Sequence, residues 1–169
     1  MLFHRRRRAL PARGDPIRRV VATGTFDLLH PGHLYYLQES KKLGDELYVI
    51  VARDRNVKHK PRPIIPEEQR LQMVAALKPV DHALLGDVTD MFRPIEAIRP
   101  DVITLGFNQN FDPAVLTGAL KARSLPAEVV RIGGYGDRVL CSSRMIVQRV
   151  IETRGPSLMA GQNTDCEDL

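Results

Sequence analysis

The hydrophobic positions of this chain alternate between two patterns, one typical of buried strands and one typical of amphipathic helices. The strand-like apolar runs lie at residues 20–22, 46–52, 82–85, 101–105 and 127–132. The segments with helical spacing begin near residues 31, 66, 92, 113 and 142. Short apolar runs bounded by polar residues are typical of parallel strands covered on both faces. Because strands alternate with helices, we expect an α/β fold, a single-domain, Rossmann-like parallel sheet of five strands with helices on both faces.

The first helix has clear boundaries in the sequence. Pro31 suits a first helical turn, because its missing N–H would have no helical partner there. Leu34, Leu37 and Leu43 are predicted to face the core, and Gly44 is predicted to end the helix in a left-handed conformation.

The end of the chain predicts one more helix followed by a tail. Ser142 is a suitable cap for a helix running to Arg154, and the Gly-Pro pair that follows is expected to end it. We therefore expect three parts: a basic, disordered arm over 1–16, a folded domain over 17–154, and a flexible tail over 155–169.

Composition changes this picture in one respect, the location of the positive charge. The chain has 169 residues and a formal net charge of +5. Residues 1–19 contain seven arginines against Asp15, so the remainder of the chain is close to neutral. A nucleic-acid-binding fold would carry its basic residues on the folded surface, so nucleic acid is an unexpected partner.

The composition also bears on the cellular location. No apolar run approaches the ~20 residues needed to cross a bilayer, and no apolar segment typical of a secretion signal follows the arginines of the arm. Two cysteines, far apart, are too few for a disulfide framework. These features predict a cytoplasmic protein with no membrane partner.

The chemistry is concentrated in one stretch, Thr23-Gly24-Thr25-Phe26-Asp27-Leu28-Leu29-His30-Pro31-Gly32-His33. It joins the first strand to the first helix, and unpaired amides and the helix dipole make such a helix N-terminus an anion site. His30 and His33 are three residues apart, so both side chains project from the same side of the first turn. Gly32 leaves the backbone open between them. Two imidazoles and free amides around one point predict a phosphate site.

This stretch resembles the HxGH signature of the nucleotidyltransferase superfamily, in its cytidylyltransferase-like branch. Residues 17–153 are most similar to the archaeal FAD synthases. The similar segments are 44–47, 49–54, 63–70, 73–81, 105–109 and 142–144. The resemblance implies transfer of AMP from ATP to FMN, giving FAD and pyrophosphate, with a divalent metal such as Mg²⁺ as cofactor.

The motif and the resemblance together select the candidate site residues. His30 and His33 are the candidate catalytic residues. The other candidate nucleotide-binding residues are Thr25, Phe26, Pro31, Gly32, Gly106, Asn108 and Tyr135. The candidates for phosphate or substrate binding are Asp27, Lys58, Lys60, Arg70, Ser142 and Ser143. Asp27 is equally compatible with a purely local turn hydrogen bond.

One candidate departs from the family pattern. The archaeal enzymes usually have Gly-aromatic-Asp-Gln where this chain has Asn108. An amide there can still bond a ribose hydroxyl but supplies no charge for a metal, so the metal ligands stay open.

Two alternative functions remain at this stage. The first is a CTP-dependent cytidylyltransferase acting on glycerol 3-phosphate or a related alcohol phosphate, and the second is a non-catalytic nucleotide-binding protein. ATP and FMN are the expected partners, and a homodimer is one of the assemblies considered. Nothing in the residues themselves selects adenine over cytosine.

Overall fold

The computed structural model describes residues 16–58, 61–136 and 140–159. Five strands form one sheet: β1 Arg19–Gly24, β2 Glu46–Val51, β3 His82–Leu85, β4 Val102–Leu105 and β5 Glu128–Arg131. All four strand pairings are parallel, and the order across the sheet is β3-β2-β1-β4-β5. The predicted five-stranded parallel sheet is confirmed.

Five α-helices connect or follow the strands: α1 Pro31–Lys41, α2 Glu67–Ala75, α3 Arg93–Ile98, α4 Pro113–Ala122 and α5 Ser143–Met159. One core cluster joins strand side chains to Leu37 of α1 and Val74 of α2. The other joins alternate strand residues to Ile95 of α3 and Leu120 of α4. Alternation along each strand therefore packs helices against both faces, as predicted.

The strand order determines where ligands can bind. From β1 the chain passes to β2 and β3 on one side, and then returns to β4 and β5 on the other. The order thus reverses between β1 and β4, and loops leaving the carboxyl ends of these strands separate to form a crevice. The loop from β1 to α1, residues 25–30, lies at this point.

Two expectations about the first helix were wrong. Leu34 is 39% exposed, and α1 ends at Lys41 with Lys42 in a right-handed conformation. Position 44 needs a glycine because of close packing and not because of a left-handed backbone. A Cβ there would lie 2.5 Å from the carbonyl oxygen of Arg18. The neighbouring Asp45 N–H donates to that same oxygen over 2.8 Å.

The predicted end of the last helix was also wrong. Ser142 does cap it, since its Oγ accepts from the Met145 N–H at 3.2 Å, but α5 continues through Gly155 and Pro156 to Met159. Proline removes one helical hydrogen bond, and Glu152, four residues before Pro156, is exposed, so water can satisfy its freed carbonyl. The helix therefore crosses the predicted boundary at residue 154. The arm through residue 15 and residues 160–169 lie outside the described part of the chain.

Candidate active site

The first turn of α1 is capped by a histidine. His30 has extended backbone geometry, and its Nδ1 accepts from the His33 N–H at 3.3 Å. A neutral imidazole that accepts through Nδ1 carries its proton on Nε2. Burial lowers the pKa of His30 below its ordinary value, which favours this neutral form. The cap thus leaves one N–H donor of His30 for a ligand.

His30 and His33 form a stacked pair, as their spacing predicted. The two ring centroids are 3.7 Å apart, with planes 23° from parallel. The edge of Phe26 lies against His33, with centroids 5.2 Å apart. Phe26 itself is 2% exposed and has a left-handed backbone, φ 52°. Phe26 thus packs against His33 from the protein interior, and its side chain is too deeply buried to contact a nucleotide directly.

A second helix N-terminus meets the first one. A Cβ on Gly32 would lie 2.9 Å from the carbonyl oxygen of Cys141, which immediately precedes the Ser142 cap of α5. The Ser143 hydroxyl donates to the Leu28 carbonyl at 3.2 Å, which ties α5 to the loop before α1. Pro31 has no N–H, and the His33 and Met145 N–H groups bond to the caps, so the first-turn amides left for a ligand are those of Gly32, Ser143 and Arg144. The positive ends of the two helix dipoles converge here. Glycine at position 32 permits this approach.

Arg70, predicted to contact a phosphate or substrate, lies underneath the site. Its side chain is fully buried. It donates to the carbonyls of Ile65 and Ala52 and to Thr25, and it forms an ion pair with Asp54. These acceptors belong to the loops that follow β1 and β2. Arg70 therefore holds the two loops together, and the expectation that it reaches the ligand was wrong.

Asp27 has a similar linking role. Its Oδ1 accepts from the N–H groups of Ile64 at 2.8 Å and Ile65 at 3.0 Å. This is a contact between distant segments, so a purely local turn bond does not describe it. The carboxylate connects the His30 loop to the segment that precedes α2.

The other side of the crevice is built by the loop after β4. Gln109 donates to the Thr23 carbonyl at 2.7 Å and accepts from the Gly106 N–H at 2.9 Å, which closes this loop over β1. Arg131 donates to the carbonyls of Gly106 and Gln109, both at 3.0 Å. Asn108 lies in this braced loop with its side chain exposed. Tyr135, in the loop after β5, packs against Tyr35 of α1, with ring centroids 5.2 Å apart and planes tilted by 47°.

Sequence reasoning missed two residues that support the site. Gln109 was noted only as part of the resemblance, although its amide can both donate and accept. The Tyr36 hydroxyl accepts from the Thr23 N–H at 3.2 Å and donates to the Thr104 carbonyl at 2.8 Å, and burial raises the pKa of Tyr36 to about 12. Together they fix the end of β1, and neither pattern nor spacing signals this.

The remaining candidates are placed as follows. Lys58 is exposed in the loop after β2, and Lys60 lies outside the described residues. Pro31 is the first residue of α1, as predicted. Within the described ranges, no three His, Cys, Asp or Glu residues are grouped so that they could hold a metal ion. None of the helices described is long and apolar enough to span a membrane.

Comparisons with known proteins agree with this geometry. The cytidylyltransferase-like family matches residues 21–149. An FAD synthase from Methanosphaerula palustris is 94% identical over 153 residues, which cover 90% of this chain and 100% of that protein. An FAD synthase from Methanoregula boonei is 75% identical over 82% of this chain and 93% of that protein.

A solved structure is similar as well. It is described as the lipopolysaccharide core biosynthesis protein from Thermoplasma volcanium, with a TM-score of 0.69 and 46% identity over 71% of this chain and 99% of that one. Sequence, fold and site geometry agree, and the chain is a member of the cytidylyltransferase-like family, within its archaeal FAD synthase branch.

Proposed function

We propose that this enzyme transfers AMP from ATP to FMN and releases pyrophosphate. The observation that carries the proposal is the stacked His30–His33 pair at the point where the N-termini of α1 and α5 converge. An arrangement of imidazole donors and helix N-termini suits a polyphosphate.

The reaction requires no covalent intermediate with the protein. A phosphate oxygen of FMN attacks the α-phosphorus of ATP, a new P–O bond forms, and the bond to the bridging oxygen breaks to release pyrophosphate. The FMN phosphate is already ionised at neutral pH, so no general base is needed. Positioning and electrostatic stabilisation of the developing charge are the main requirements.

The described residues can meet these requirements. The Nε2–H of His30 is available to donate to a phosphate oxygen, and His33 beside it is the second catalytic candidate. The hydroxyls of Ser142 and Ser143 already bond within the fold, so the contribution of α5 comes from its first-turn amides. The amides of Thr25 and Gly32 are placed in the same loop and turn. Lys58 and Lys60 remain candidates for the outer phosphates.

The nucleoside half is assigned to the β4 side of the crevice. Gly106 and Asn108 are in the loop braced by Gln109 and Arg131, and Tyr135, in the loop after β5, packs against Tyr35 of α1. Asn108 is proposed to bond a ribose hydroxyl as a neutral group. Phe26, Asp27 and Arg70 are reassigned to positioning, since their contacts are internal to the protein.

A divalent metal fits this site only in a limited way. Mg²⁺ is commonly held by substrate phosphates with one or two protein carboxylates, and the described residues supply no cluster of three ligands. The ion would therefore be held mainly by ATP oxygens, with no protein cage required. Its chemistry would be neutralisation of phosphate charge. Cytoplasmic location and a homodimer stay predictions.

A direct assay tests the proposal. The purified chain is incubated with FMN, ATP and Mg²⁺, and FAD and pyrophosphate are measured; parallel reactions contain CTP in place of ATP, glycerol 3-phosphate in place of FMN, or both. We expect FAD only with ATP and FMN. His33→Ala should lower turnover by roughly 10²–10³, whereas His82→Ala, an exposed histidine at the opposite edge of the sheet, should not. CDP-glycerol as the main product, or no product, would contradict the assignment.

A further inference from the structure

A cavity of about 450 Å³ opens at the same edge of the sheet, on the side of β2 and β3. Its walls come from the loops after these two strands and from the segment leading into α2. The lining residues that matter here are Arg55, Arg62, Pro63, Ile64 and Val88. None of them has a role in the nucleotide site described above. Its volume is within the range of small-molecule sites.

The wall of this cavity is connected to the reaction centre. Ile64 lies on the cavity, and its N–H donates to Asp27, three residues before His30. On the opposite flank, Arg53 donates to Glu67 at 2.7 Å, which joins the loop after β2 to the start of α2. The cavity is therefore framed by bonded segments next to the histidine loop.

Part of the lining is apolar, and exposed Ile64 and Val88 contribute to it. Ile64 is 59% exposed and Val88 is 38% exposed, and Pro63 lies next to Ile64 in the chain. Exposed branched side chains grouped around one concavity gain free energy when an apolar surface covers them. A planar aromatic ring system supplies such a surface.

The charge around the cavity is suited to a phosphate. Arg53 and Asp54 are used in ion pairs with Glu67 and Arg70. No ion pair within the described ranges involves Arg55 or Arg62, so both guanidinium groups keep their positive charge for a ligand. Glu68 also lines the cavity and is outnumbered by them.

Resting on the function proposed above, we propose that this cavity is the flavin site, with the isoalloxazine ring against Ile64 and Val88 and with Arg62 and Arg55 attracting the FMN phosphate. The nucleoside half is assigned to the β4 side, so the flavin and the nucleoside would lie on opposite sides of the histidine loop, with their phosphates meeting at the His30–His33 pair.

Steady-state kinetics with two matched variants test the ring contact. Val88→Asp places a charge in the cavity, and Val115→Asp places the same charge on exposed α4, where Val115 is 71% exposed. We expect Val88→Asp to raise the KM for FMN roughly tenfold or more, with the KM for ATP and the Tm unchanged, and Val115→Asp to alter none of them. Equal KM values for FMN in the two variants would overturn the assignment of this cavity to the flavin.

Riboflavin tests the ring contact separately from the phosphate contact, because it carries the same ring system as FMN but no phosphate. We expect riboflavin to inhibit competitively against FMN. Val88→Asp should raise the inhibition constant of riboflavin by the same factor as the KM for FMN. Arg62→Gln should raise the KM for FMN and leave riboflavin inhibition unchanged. An equal loss for both ligands in Arg62→Gln would overturn its assignment to the phosphate.

The same experiment distinguishes the two proposals. A wild-type enzyme that forms no FAD would overturn the function, and the flavin site with it. FAD formation by the wild type with an unchanged FMN KM in Val88→Asp would overturn the flavin site alone.

Discussion

The two nitrogen atoms of His30 have separable roles, and two amide substitutions can distinguish them. Nδ1 caps α1 by accepting from the His33 N–H, whereas Nε2 carries the proton offered to a phosphate. The asparagine amide oxygen can occupy the Nδ1 position, and the glutamine amide nitrogen reaches the Nε2 position. His30→Asn should keep the cap and lose the donor, and His30→Gln should do the reverse.

The magnitudes follow from the geometry. Loss of an N-cap costs about 0.5–2 kcal/mol, and the 3.3 Å separation is long for a hydrogen bond, so we expect about 0.5–1 kcal/mol for His30→Ala. Asparagine is among the best cap residues and suits the extended backbone at this position. The free energy of unfolding of His30→Asn should therefore be within about 0.5 kcal/mol of the wild-type value. Loss of the donor should lower turnover by roughly 10²–10³ in both His30→Asn and His30→Ala.

Urea unfolding and FAD formation are measured on the three variants side by side. His30→Gln is expected to be less stable than His30→Asn but to retain more turnover. If His30→Asn retained near-wild-type turnover, the Nε2 donor would not act in the reaction. If His30→Ala were as stable as the wild type, the capping bond would contribute nothing.

Four further predictions follow from the same structure. Because burial lowers the pKa of His30, the unfolded chain binds a proton that the folded chain does not as pH falls through about 6.5. Stability should therefore decrease below that pH, and unfolding of His30→Asn should show a weaker pH dependence. Arg70→Met leaves three part-buried carbonyls and Asp54 without their donor. Calorimetric or urea unfolding should show a loss of about 1–3 kcal/mol, and a loss below about 0.5 kcal/mol, the usual size for a surface substitution, would contradict the bracing role. Asn108→Ala should weaken ATP binding by about 0.5–1.5 kcal/mol in calorimetry while Asn108→Asp is tolerated, and unchanged affinity in the alanine variant would show that the side chain does not touch the nucleotide. Deletion of residues 1–15 should change neither Tm nor FAD formation, and a large loss of either would assign the arm a structural or binding role.

The sequence alone determined the parts of this protein that depend on local chemistry. Apolar runs and helical spacing depend on neighbouring residues, so they predicted all five strands, their parallel arrangement and the starts of most helices. The His30–His33 pair was predictable for the same reason, because the cap residue and the third residue of the helix, three positions apart, lie on the same side of the first turn. The Ser142 cap is likewise a local signal.

Only the tertiary structure decided the roles of residues whose partners are far away in the chain. Arg70 bonds Thr25, 45 residues earlier, and Asp27 bonds Ile64, 37 residues later. A charged residue near a motif is expected to reach the ligand unless its burial is known, and burial depends on how the loops after different strands pack together. Gly44 was misread for the same reason, since the contact that requires a glycine there is the Arg18 backbone on a neighbouring segment. Long-range packing therefore separates the side chains that can meet a substrate from those that hold the site in place.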